Sequence, residues 1–321
     1  MGAYLVRRLL QMIPILIGVT VITFVIVNAS GSPFQSIMFD PRIRPEDIAR
    51  LEKAYGLDKP VVERYFIWLK ALVQGDLGIS LQNRQDVSKR IMDVLPNTLK
   101  LTISSTIVAA ILALPIGIIA AVKRNSIFDR VANVFSVAAF AVPTIWLGLM
   151  LIILFAVKFS EWGLPALPVG GMEDLRNGGG FWDRVEHLIL PVTMLTIPQI
   201  GVWVNYIRSS MLEVLNQDYV RTAQAKGLST RVVMLSHAFR NALLPIITIV
   251  GLSIPDLFGG ALLVENVFAY NGMGRLTIEA ISDKDYPLIM GTTLFYAALV
   301  LIGNLIADIL YTVADPRIRL D

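Results

Sequence analysis

Residues Thr98 to Val122 read TLKLTISSTIVAAILALPIGIIAAV, and this stretch decides the fold class. It holds 25 residues with one charged side chain, Lys100. Wound as an α-helix it extends about 37 Å, at about 1.5 Å per residue, enough to cross a hydrocarbon layer about 30 Å thick. Working outward, five further stretches have the same character: Leu9 to Asn28, Val131 to Val157, His187 to Ile207, Leu244 to Val264 and Leu288 to Thr312. The expectation is an all-α integral membrane protein with six transmembrane helices. Composition agrees, because 55% of the 321 residues are hydrophobic and 17% charged, with a mean hydropathy of +0.64. Soluble domains run nearer about 45–50% and about 25%, so the apolar excess needs an apolar solvent. The absence of cysteine excludes disulfides, thiolate metal sites and cysteine nucleophiles. His187 and His237 are the only histidines, one at a span entrance and one in a loop, so no metal site and no catalytic set is expected.

Charge orients the spans. With six of them both termini share a side, and the segments on that side carry 12 Lys/Arg against 5 Asp/Glu. The segments on the opposite side carry 15 against 18. The short-loop residues Arg7, Arg8, Lys123, Arg124 and Arg130 dominate, and the positive-inside rule places both termini in the cytoplasm. The small net charge of +3 leaves no footprint for nucleic acid.

Proline and glycine interrupt the spans at Pro14, Pro115, Gly117, Pro143, Pro191, Pro198, Gly251 and Pro255. Several together suggest a helix bundle with a path through it, since freed backbone groups must be satisfied by neighbours or by a water-filled cavity. Polar residues recur on helical faces: Gln199, Trp203 and Tyr206 on the fourth span; Ser253, Asp256 and Gly260 on the fifth; Asn304, Asp308 and Tyr311 on the sixth. Asp256 and Asp308 are the only acids in the spans, each costing about 2.5–3.5 kcal/mol if placed at the bilayer centre, so both should face protein or water. Gln199, Trp203, Ser253, Asp256, Asn304 and Asp308 are the candidate path residues. The alternative for each is hydrogen bonding that only holds helices together.

The inner segment from Arg208 to Leu243 is far longer than the other inner loops and reads as two short helices. The first runs from Gln217 to Lys226 and stops at Gly227; the second starts after Ser229 and continues to Pro245. A helix pair on the cytoplasmic face suits docking, although its bases equally suit topological anchoring.

Within that segment DYVRTAQAKGLSTRVVMLSHAFRNALLP resembles the coupling-loop motif of ATP-binding-cassette importer permeases, in its peptide/nickel branch. The general motif's Glu-Ala-Ala falls here on Arg221, Thr222 and Ala223, so its acid is absent. The opening YLVRRLLQMIPILIGVTVITFVIV, GDLGIS at Gly75 to Ser80, LPNTLKLT at Leu95 to Thr102, LVENVFAYNGMGRL at Leu263 to Leu276 and the terminal DPRIR are similar to the B-type permease of dipeptide and oligopeptide importers. The resemblance covers nearly the whole chain. It implies a type I importer permease fold in a bacterial-type inner (plasma) membrane, and ATPase-coupling roles within 213–243 for Asp218, Tyr219, Arg221, Ala223, Ala225, Lys226, Gly227, His237, Arg240 and Asn241. It also implies a homologous C-type permease, two ATPase subunits, an extracytoplasmic solute-binding protein and surrounding membrane lipid as partners. ATP and Mg would sit in the ATPases; no cofactor is expected in this chain, which has no G-x-x-x-x-G-K-[ST] loop.

The expected organisation is a first helix (1–28), an extracytoplasmic helical loop domain (29–97), a five-helix core (98–312) and a cytoplasmic tail (313–321). In the loop domain PEDIARLEKAYG and PVVERYFIWLKALV each open with proline and keep helical apolar spacing. The substrate class implied is peptides, with nickel chelates, glutathione and oligosaccharides as same-family alternatives. A stand-alone secondary transporter or channel is the rival class, and would need inverted repeats and its own coupling-ion site.

Overall fold

The computed structural model describes residues 2–34, 44, 46, 50, 52–53, 56–174, 179–218, 220, 222, 253 and 261–314. Among them the regular elements are helical, with one antiparallel bridge between Ile79 and Asp86. In chain order these are α1 (Gly2–Ala29), α2 (Val61–Val73), α3 (Val87–Val122), α4 (Ile127–Ala141), α5 (Thr144–Ile152), α6 (Phe181–Leu215), α7 (Leu262–Val267), α8 (Met273–Ser282) and α9 (Tyr286–Ala314). A π-helical turn at Ile153–Lys158 and a last turn at Phe159–Glu161 extend α5. Among the described residues five helices are long and apolar enough to cross a membrane: Tyr4–Ala29, Val87–Val122, Thr144–Glu161, Phe181–Leu215 and Tyr286–Ile309.

Several predicted boundaries are corrected. The stretch Val131 to Val157 is two helices, broken where Val142 turns extended (φ −70°, ψ 126°) ahead of Pro143. Proline's ring disfavours the α conformation in the residue before it, and apolarity alone does not register that. The helix containing Thr98 to Val122 starts at Val87, so the outer loop gives up its last eleven residues to α3. The helix containing His187 to Ile207 runs on to Leu215, and Arg208 belongs to it rather than to a loop. Both extensions are amphipathic helix, which hydropathy reads as loop because charge marks them. Most of Leu244 to Val264 lies outside the described residues; its end joins α7, which passes the expected limit and stops at Val267. Of the two loop helices, the one after Pro60 is present as α2, and of the other Glu46, Arg50, Glu52 and Lys53 are described, all helical.

The chain divides into two compact units, residues 1–97 with 272–301, and 98–271 with 302–321. In the first, α1 and α2 meet through Tyr65, whose ring lies edge-on to Phe24 at 5.3 Å and whose hydroxyl is 3.0 Å from Thr20 Oγ1. The start of α3 (Val87, Ile91, Val94) is buried against Met273, Leu276 and Ala280 of α8 and Leu288 of α9. In the second unit two clusters form. One joins Ala109, Ala113 and Ala121 of α3 to Ile200, Trp203, Val204, Ile207 and Met211 of α6. The other gathers Leu151, Leu190, Met194, Val264, Phe268 and Tyr270 around Leu101.

Candidate functional site

The C-terminal half of α6, which leads into the segment 213–243, is held unusually close to two neighbours. On α3, Ala109, Ala113, Gly117 and Ala121 recur every fourth residue and so form one face. A methyl group on Gly117 would lie 2.8 Å from Ile207 Cβ and 3.1 Å from the Val204 carbonyl oxygen. On the other side, a Cβ on Gly201 would sit 2.6 Å from the Ser136 carbonyl oxygen of α4. Ala132, Ser136 and Ala139 supply the buried face there. Small residues let backbones approach where lipid tails give no hydrophobic drive for helices to associate. Pro191 and Pro198 lie within α6, releasing the His187 and Met194 carbonyls from the helical ladder without ending the helix.

An ion pair closes this bundle. Arg208 of α6 donates through Nη2 to Asp129 Oδ2 at 2.9 Å, with Nε on Oδ1 as the second limb of a bidentate contact. Asp129 is 2% exposed, and its other bonds are local: the Asn125 amide donates to Oδ2 at 2.9 Å and Asn133 Nδ2 to Oδ1 at 3.1 Å. Ser126 caps α4, its Oγ accepting from the Asp129 amide at 3.2 Å. The Arg208 guanidinium holds the Asp129 carboxyl below the usual carboxylate range, against the opposing effect of burial.

The segment 213–243, expected to couple to a partner, begins five residues beyond Arg208. Asp218 is described there: the Thr222 hydroxyl donates to its carbonyl at 2.9 Å, an i to i+4 helical contact, and Val220 is buried beside Leu215. Tyr219, Arg221, Ala223, Ala225, Lys226, Gly227, His237, Arg240 and Asn241 lie outside the described residues. So does Asp256 among the path candidates. Of the rest, Trp203 is 3% exposed inside the α3–α6 cluster, Gln199 is half-buried one turn before it, and Ser253 is half-buried. Asn304 is exposed and Asp308 half-buried on α9, four residues apart. Gln199 and Trp203 lie on α6 and Asn304 and Asp308 on α9, while the structure brings together a different set.

That set was hidden by sequence distance. Asp129 and Arg208 are 79 positions apart and counted only as inner-loop charge; the Ser126-x-x-Asp129 cap signature was the available signal. Glu265, fully buried, accepts from the Thr98 hydroxyl at 2.6 Å, joining LVENVFAYNGMGRL to LPNTLKLT. Tyr270, three residues past α7, is buried near Glu265, and both effects push its hydroxyl pKa up to about 12. In the other unit, the Ser80 hydroxyl that ends GDLGIS donates to the buried Asp285, whose Oδ1 caps α9 by accepting from the Leu288 amide at 3.3 Å. Gly78 keeps a positive φ of 89° in this turn, with Pro287 facing it.

Known proteins match this arrangement along its whole length. Residues 113–320 match the family described as binding-protein-dependent transport system inner membrane component, and residues 1–102 match the N-terminal region of that membrane component. The chain is 43% identical to the oligopeptide transport system permease protein AppB of Bacillus subtilis (strain 168), over 99% of this chain and 100% of that protein. It is 40% identical to the di/tripeptide transport system permease protein DppB of Pseudomonas aeruginosa (strain UCBPP-PA14), over 99% of each chain. It is 38% identical to the dipeptide transport system permease protein DppB of Escherichia coli (strain K12), over 98% of each. Among solved structures, an amino acid ABC transporter aligns with a TM-score of 0.52 at 15% identity, covering 72% of this chain and 95% of that one. The inward-facing MetNI methionine ABC transporter aligns with a TM-score of 0.52 at 14% identity, over 71% and 97%. At such identities the likeness is one of fold. The multi-pass apolar helices, the family matches across both halves and the full-length relatives lead to one conclusion: this chain belongs to the family of binding-protein-dependent transport system inner membrane components.

Proposed function

We propose that this chain is one permease half of an ATP-driven importer for di- and oligopeptides. The observation that carries the reading is the locked α3–α4–α6 bundle, whose last helix continues directly into the segment 213–243. A helix clamped by small-residue faces and a bidentate ion pair moves as a rigid lever. Force applied to the helices from Asp218 to Asn241 is delivered to the polar faces of the spans rather than absorbed locally. The peptide class rests on the names of the full-length relatives.

In this reading a homologous C-type permease completes the path, and two ATPase subunits dock on the cytoplasmic 213–243 segment. An extracytoplasmic binding protein delivers the peptide. Both termini are cytoplasmic, as the excess of Arg and Lys in the inner segments supports. ATP and Mg are bound by the ATPases, and this subunit converts their closure and reopening into alternating exposure of Gln199, Ser253, Asp256, Asn304 and Asp308.

The test uses the absence of native cysteine. A single Cys at Lys226 should cross-link to a Cys in the groove of the cognate ATPase under transport conditions, while one at Gly75 should not. No cross-link at Lys226 would sink the docking assignment. Gly227→Pro should abolish substrate-stimulated ATP hydrolysis with membrane insertion intact. Asp256→Asn should slow peptide uptake without loss of complex assembly; failed assembly would make that residue structural.

A further inference from the structure

Helix α2 reads VVERYFIWLKALV, and ten of its thirteen residues are apolar or aromatic. At about 20 Å it is too short to cross a bilayer, yet its apolar content is high for a helix standing in water. None of its residues is fully buried, and Val62, Phe66 and Val73 are 68%, 61% and 81% exposed. Apolar side chains exposed together on one face mark a surface with a partner. The contacts between α2 and α1 set the depth at which that surface stands.

Two neighbouring residues of α2 reach α1 at different levels. Arg64 donates through Nη2 to Asn28 Oδ1, next to the last residue of α1. The Tyr65 hydroxyl lies 3.0 Å from Thr20 Oγ1, about 13 Å before that end at about 1.5 Å per residue, and its ring is edge-on to Phe24 at 5.3 Å. Adjacent residues of a helix running along α1 would meet it at nearly one level. Helix α2 therefore lies across α1, with Arg64 turned toward the C-terminal end of the span and Tyr65 toward its middle. At about 100° per residue, Leu69, Val62, Val73 and Phe66 fall within about 60° of arc, on the side of Tyr65 and opposite Arg64. The rings agree, since Phe66 lies edge-on to Tyr65 at 5.8 Å. Glu63 and Lys70 occupy the next arc, turned away from α1, and Glu63 pairs with Lys59 at 2.9 Å.

An exposed apolar stripe, held below the end of a membrane-length helix and bordered by charge, is the arrangement of a helix lying in the plane of the interface. We infer that α2 is an interfacial membrane helix, its Leu69, Val62, Val73 and Phe66 stripe resting on lipid acyl chains while Glu63 and Lys70 stand at headgroup level. The helix expected within an extracytoplasmic loop domain thus belongs to the membrane surface, where it ties the segment after α1 to the bilayer.

The absence of native cysteine gives the test. Val62→Cys, Phe66→Cys, Val73→Cys and Lys70→Cys, each carrying a bimane fluorophore, are measured in the full complex reconstituted in nanodiscs. The first three should lose most of their emission to lipids bearing a nitroxide on the upper acyl chain and little to aqueous iodide, and Lys70→Cys should show the reverse order. Three stripe positions keep the test decisive if one variant does not assemble. Strong iodide quenching along the stripe would overturn the proposal and return α2 to water. Stripe labels reached by neither quencher would overturn it in favour of a covering protein.

Discussion

The two compact units use opposite ways of handling polar groups. In the bundle of α3, α4 and α6, backbones touch across glycine and alanine, and the one strong charge pair is bidentate and closed by local bonds from Asn125 and Asn133. In the unit of α1, α2 and α8, a tight apolar cluster is joined by a cavity, and three buried polar atoms of residues that line it have no partner among the described residues. The first arrangement transmits displacement because packed helices have few intermediate positions to relax into. The second leaves a cavity of about 520 Å³ lined by residues of α1, α2 and α9. The difference teaches that rigidity here follows from backbone proximity together with full satisfaction of the charged groups, which the looser packing of the other unit lacks.

The largest way to break the contrast is to push the bundle apart. Gly201→Val places methyl groups against the Ser136 carbonyl, a backbone atom that cannot turn aside. Overpacking of this kind costs about 1–3 kcal/mol. Substrate-stimulated ATP hydrolysis in the reconstituted complex should fall by about tenfold, taking 1.4 kcal/mol per decade. Gly18→Val in α1, where a Cβ meets nothing within 4 Å of this chain, should leave the rate within about twofold.

Next in size is the ion pair. Asp129→Ala leaves the partly exposed Arg208 guanidinium without its carboxylate and should lower thermal stability by about 2 kcal/mol. Arg208→Met combined with it should be markedly less than additive, a coupling of about 1 kcal/mol or more in a double-mutant cycle. The sign of the pH dependence follows from the depressed carboxyl. Its contribution is fully present above the unfolded value near about 3.9 and is lost as pH falls through the lower folded value. Acid melting curves of Asp129→Asn should lack that step, and a variant that still showed it would place the titration elsewhere.

Smaller effects test the buried pairs in each unit. Ser80→Ala removes the donor to Asp285, and Thr98→Val removes a donor to Glu265. Each should cost about 1–2 kcal/mol in melting experiments. If Thr98→Val were neutral, Glu265 would be held by its other contacts instead. The smallest effect is spectroscopic: Tyr270, held near 12 by burial and Glu265, should stay protonated in difference spectra at pH 11, where exposed tyrosines near about 10 have ionised.

What could be read from the chain was what depends on short-range pattern. Apolar run length placed α1, α6 and α9, proline placed the start of α2, and five quoted segments in family order, with the coupling-loop motif, placed nearly the whole chain among importer permeases. The break at Val142–Pro143 was also legible, since Pro143 was seen, but hydropathy averaged across it. The extensions of α3 to Val87 and of α6 to Leu215 were not, because a helix that leaves the hydrocarbon carries charges that a span reading takes for loop.

The sequence by itself determined the class of solvent, the helical class of the fold and the family, because these follow from composition, period and motif order along one dimension. Only the tertiary structure decided which residues act together. Asp129 with Arg208, Glu265 with Thr98, and Arg64 with Trp68 around one cavity with Tyr286 depend on contacts that most often join distant positions. Burial and hydrogen bonding act through space and decay over a few ångströms, so a partner dozens of residues away leaves no trace in local pattern.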